Sequence, residues 1–102
     1  MAFVTVGKAE DAPPEGELAR FELNGTAIAV ANVGGGLHGI ADACTHAQCS
    51  LSEGDLDGTH VVCACHVGTF DVLTGEVVAA PPRTPASVYA VRIEGDDLQV
   101  EM

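Results

Sequence analysis

Bases are scarce in this chain. Four residues are Lys or Arg against fifteen Asp or Glu, a formal net charge of −11 with the histidines neutral. Phosphate repels such a chain, which excludes DNA, RNA and anionic membrane surfaces as natural partners and favours partners with basic patches. Long apolar runs are missing too, and nothing approaches the roughly 18 residues of a spanning helix. The opening residues, MAFVTVGKAEDAPPEGE, have no basic n-region and no apolar h-region, so no signal peptide is expected. The expectation is a soluble, cytoplasmic protein. There is also no helix of convincing length, no internal repeat and no low-complexity tract.

What is present reads as a small β domain. The 102 residues suffice for one core, and 47% hydrophobic with 19% charged is a globular composition. ARFEL alternates Ala19, Phe21 and Leu23 with Arg20 and Glu22, the period of a strand with one buried face. Asn24-Gly25 follows, a strong hairpin signal, and TAIAVANV reads as the return strand. The glycines at 34–36 break it and LHGIA resumes. HVVCAC is a short β-branched run, and TFDVL and EVVA flank a hairpin candidate at Thr74-Gly75. SVYAVRIE alternates Tyr89, Val91 and Ile93 with Arg92 and Glu94; LQVEM closes the chain with Leu98 and Val100 inward. Twelve glycines and five prolines punctuate these short segments, the pattern of an all-β antiparallel sandwich or barrel.

The soft metal ligands are concentrated. CTHAQC (44–49) and CACH (63–66) hold all four cysteines and two of the four histidines. Without a secretory signal, such cysteines point to metal or redox chemistry rather than a structural disulfide framework. Cys44, His46, Cys63 and His66 form a two-thiolate, two-imidazole set, and a single tetrahedral zinc remains open on composition. Zinc pairs, however, favour at least two intervening residues. One residue between Cys44 and His46 splays the side chains and suits two adjacent metal atoms better. His38 and His60 lie in strand-like runs and read as rim residues, not ligands.

C-x-H, sixteen residues, then C-x-x-H resembles the Rieske [2Fe–2S] pattern, in which two His replace two Cys on one iron. LSEGDLDGTHVVCACHVGTFDVLTGEVVAAPP and the terminal YAVRIEGDDLQV are similar to the Rieske-type ferredoxins of bacterial ring-hydroxylating dioxygenase systems. The resemblance implies a Rieske-like fold over 1–102. Its basal β part would be 1–41 and 80–102, with a cluster-binding part, 42–79, of two loops at one end. It implies one [2Fe–2S] cluster, with Cys44 and Cys63 on the buried iron and His46 and His66 on the outer one. Pro81-Pro82 falls where the family has a loop covering the cluster. Quinol-oxidising Rieske proteins carry a disulfide at the positions of Cys49 and Cys65, which implies that bridge here; many dioxygenase ferredoxins lack the pair.

The same resemblance speaks to the potential. Four thiolates would leave an oxidised cluster doubly negative, whereas two thiolates and two neutral imidazoles leave it neutral and easier to reduce. High-potential members carry Ser and Tyr where this chain has Gly68 and Phe70. Neither can donate a hydroxyl hydrogen bond to the cluster, which places the chain toward the low end of roughly −150 to +300 mV. The implied role is a one-electron carrier, not an enzyme. It would link a flavin-containing ferredoxin reductase to a terminal oxygenase, with no nucleic acid and no membrane partner. Glu53, Asp55 and Asp57 are candidates for docking a basic partner, or simply a solvated loop. A quinol-linked Rieske protein, a Rieske-like nitrite reductase small subunit and a zinc-stabilised module are the alternatives. A complete oxygenase would also need a mononuclear iron site, for which only His38 and His60 remain.

Overall fold

Two antiparallel sheets make up the described part of the protein. The computed structural model describes residues 2–43, 49–64, 68–79 and 84–102. Its strands are β1 (Phe3–Lys8), β2 (Leu18–Leu23), β3 (Thr26–Val33), β4 (Gly36–Ala41), β5 (Asp55–Asp57), β6 (His60–Val62), β7 (Thr69–Asp71), β8 (Val77–Ala79), β9 (Val88–Glu94) and β10 (Asp97–Glu101). The larger sheet runs β1-β10-β9-β4-β3-β2, the smaller β5-β6-β7-β8. The only helical pieces among the described residues are two short 3-10 turns, Ala9–Asp11 and Leu51–Glu53.

The larger sheet curls until its edge strands meet. A Cβ on Gly7 of β1 would lie 2.9 Å from Phe21 Cε1 of β2, so the absent side chain lets the barrel nearly close. Inside it, Ile28, Val30 and Val100 are buried, with Phe21, Tyr89 and Val91 packed against them. The opposite face of β3 is buried as well. Ala29 and Ala31, with Ile40 of β4, pack against Val61 and Phe70 of the smaller sheet, Cys63 just beyond β6 and Leu51 of the second turn. This explains why TAIAVANV is a continuous apolar run: a strand buried on both faces cannot alternate. The single strand β3 joins the barrel core to the core beneath the cysteine loops.

The hairpins follow their turn residues. Asn24 (φ 53°) and Gly25 (φ 82°) occupy the left-handed region that a two-residue turn between twisted strands demands. β7 and β8 pair antiparallel around Thr74-Gly75, with Thr69 opposite Ala79 and Phe70 opposite Val77. Leu98 and Val100 are fully buried. Two details differ from the sequence pattern. Ile93 is 44% exposed, not inward, although its cross-strand partner Leu98 is fully buried. β1 is a strand that the alternation alone did not single out. It gains its place through β10 and through the Arg92 guanidinium of β9, stacked 4.0 Å over the Phe3 ring.

Candidate metal centre

The second cysteine piece begins where β6 ends. Cys63 is 3% exposed, carries a free thiol, and lies in the apolar cluster with Leu51, Val61 and Phe70. Its N–H donates to the Gly68 carbonyl at 2.8 Å. That bond extends the β6–β7 pairing, which puts Val61 opposite Phe70 and Val62 opposite Thr69, and so closes the base of the loop 64–67. Cys63 therefore sits at the base of its loop inside an apolar shell.

The first cysteine piece leaves β4 and returns at the second 3-10 turn. An isolated bridge pairs Ala43 with Ser50, and the Leu51 N–H donates to the Asp42 carbonyl at 2.6 Å. Leu51 is fully buried and anchors the return in the same core as Cys63. Cys49 is half-buried against that core and disulfide-bonded. The two pieces approach closely at Gly54, where an added Cβ would overlap the Val62 carbonyl and lie 3.2 Å from the Ala64 nitrogen. Glycine there lets the end of the first loop lie directly on the strand that delivers Cys63.

Cys44, His46, Cys65, His66, Pro81 and Pro82 lie outside the described residues. Ala86 lies in the same buried cluster as Cys63, and its N–H donates to the Gly75 carbonyl at 2.8 Å. Gly75 is at φ 80°, and a Cβ there would run into the Ala86 carbonyl, so that turn requires glycine twice over. Phe70 is fully buried and Gly68 buried, so neither brings a hydroxyl to the loop. His38 stands on β4 between Ala31 and Ala90 in cross-strand register, and His60 between Asp57 and Asp71. Among the described residues no group of three His, Cys, Asp or Glu is placed to hold a metal ion. No described helix is long and apolar enough to cross a membrane.

Asp42 was not singled out by the sequence pattern. Its side chain is 2% exposed, two residues before Cys44. Oδ1 accepts the Ser52 N–H at 2.8 Å and Oδ2 accepts Arg20 Nε–H at 3.2 Å. Burial pushes the carboxyl upward, but hydrogen bonds from Ser52 and Ser50 and the Arg20 charge outweigh it and hold it below the ordinary aspartate range. In the sequence it is only a lone acid in GIADAC, with nothing local to mark its partners.

Residues 2–92 match the Rieske [2Fe-2S] domain model. The chain is 41% identical over 102 residues to the biphenyl dioxygenase ferredoxin subunit of Pseudomonas sp. (strain KKS102), covering 99% of this chain and 93% of that one. Among solved structures, Sphingomonas yanoikuyae B1 ferredoxin superposes with a TM-score of 0.89 at 29% identity over 99% of both chains. A chain in a complex of reduced oxygenase and oxidized ferredoxin in carbazole 1,9a-dioxygenase superposes with a TM-score of 0.85 at 35% identity, over 96% of this chain and 91% of that one.

Proposed function

The chain belongs to the Rieske [2Fe–2S] family, and from this we propose that Cys44 and Cys63 hold the inner iron and His46 and His66 the outer one. It is an electron-transfer component of a ring-hydroxylating dioxygenase system, not the catalyst, and passes single electrons to a terminal oxygenase. A reductase supplies them, and a flavin-containing one fits the pattern. One observation carries the ligand assignment: Cys63 is the buried, unoxidised thiol at the base of its loop, while Cys49 is disulfide-bonded. That difference supports two cysteines as ligands and a Cys49–Cys65 bridge between the loops.

When bound, the cluster accepts and releases one electron at a potential set by its ligands and their surroundings. The chain's own residues set those surroundings. Leu51, Val61 and Phe70 exclude water from the Cys63 side. Gly68 and Phe70 offer no hydroxyl donor, which favours a low potential and disfavours quinol oxidation. Residues 42–79 would form the cluster-binding part on a base of 1–41 and 80–102, with Pro81 and Pro82 covering the cluster. A cytoplasmic location fits the cofactor and the partners.

One sample tests the assignment. Purified protein should contain two irons and two acid-labile sulfides per chain. Denatured without reductant after anaerobic cluster removal, it should then titrate two thiols of its four cysteines. Four thiols would remove the bridge, and zinc in place of iron and sulfide would remove the ligand assignment.

A further inference from the structure

Among the described residues, Asp42 is the one charged or polar residue whose whole side chain is buried. Its polar atoms tie three elements together. Its N–H donates to Ala27 of β3 at 3.1 Å, and its carbonyl accepts the Leu51 N–H. Its carboxylate holds the Ser52 N–H and Arg20 of β2. An acid at a strand end could simply face water, so this degree of burial and bonding asks for a reason. The segment closed by this knot, 43–50, is the first cluster loop. One residue, Ala43, lies between Asp42 and Cys44, and the two residue steps span at most about 7 Å.

The partner is asymmetric. Arg20 is half exposed, and its Nη2 bonds Glu22 at 2.9 Å on the surface. Removing Arg20 would therefore leave the buried carboxylate without its counter-charge, whereas removing Glu22 would leave it untouched. We propose that the Arg20–Asp42 pair is a positioning clamp that fixes the base of the loop bearing Cys44 and His46 and sets the charge balance beside the cluster. The inference rests on the ligand assignment above.

Charge predicts opposite signs for the two halves. A negative charge near the cluster disfavours adding an electron, so losing it raises the potential; losing the positive partner lowers it. General loosening of the loop would move both variants the same way. The experiment compares parent, Asp42→Asn, Arg20→Met, Arg20→Lys and Glu22→Gln, each loaded with cluster. It reads the reduction potential by voltammetry, the reduced-state electron paramagnetic resonance spectrum, and the rate of bleaching by an iron chelator. Asp42→Asn should shift the potential up and Arg20→Met down, and both should bleach about tenfold faster, the effect of losing one charge-assisted hydrogen bond. Arg20→Lys keeps the charge but not the guanidinium geometry, so it should restore the potential more fully than the bleaching rate. Glu22→Gln should match the parent. Potentials shifted in the same direction, or parental potentials and bleaching in the Asp42 and Arg20 variants, would overturn the clamp. If Asp42→Asn does not fold, Arg20→Met against Arg20→Lys decides: equal potentials overturn it. A parent without iron would instead overturn the ligand assignment.

Discussion

At the scale of single residues, the site is defined as much by missing groups as by present ones. Phe70 fills the core beside Cys63 with a ring that has no polar atom. Tyrosine at 70 would add one hydroxyl to an otherwise apolar shell. If the shell sets the potential, Phe70→Tyr should raise it, by donating a hydrogen bond toward the ligand sulfur. The same hydroxyl, poorly partnered, should cost roughly 1–3 kcal/mol of stability. Voltammetry and thermal unfolding of the same preparation check both effects; an unchanged potential would show that residue 70 does not reach the ligand shell. Cys63 stood out in the sequence through its place in C-x-x-H, and the structure shows it buried with a free thiol. Asp42 was not legible, because nothing in an isolated acid reveals that a residue 22 positions earlier will turn its guanidinium onto it.

At the scale of elements, the strands were legible wherever one face is wet. β2 and β10 alternate, and their hairpin residues are those the turns require. β3 was readable as a strand, but its two-sided burial was not, since a continuous apolar run does not say what covers each face. β1 escaped because its place depends on a distant partner, β10, and on the Phe3–Arg92 contact. The approach of the two loops is equally tertiary. Gly54 has an ordinary extended backbone, so no local rule demands glycine there; the Val62 carbonyl does. Gly54→Ala should push the second 3-10 turn off β6, at a cost of about 1–3 kcal/mol. It should also speed cluster loss. Thermal unfolding checks the first effect and bleaching kinetics the second; parental values in both would mean that the loops tolerate separation at this point.

At the scale of the whole molecule, the charge of −11 complements the role of a carrier that docks and leaves. Glu53, Asp55 and Asp57 are exposed beside the loop that returns from the first cysteine piece. Reversing the charge at Glu53 and Asp55 should slow turnover with the oxygenase at low salt and flatten its dependence on ionic strength. Unchanged turnover and salt dependence would make these acids a solvated edge. The function class was legible from two hexamer-scale motifs, because cluster chemistry constrains spacing tightly. The oxygenase's substrate leaves no mark on a chain that handles only electrons.

The central claim is that this is a low-potential Rieske carrier with histidines on its outer iron. Voltammetry of the purified protein at neutral and alkaline pH tests it most directly. The account predicts a reversible one-electron wave near the low end of the range of roughly −150 to +300 mV, falling further at alkaline pH as the ligand imidazoles of the oxidised form deprotonate. A wave near the high end, or a colourless protein with no wave at all, would contradict it.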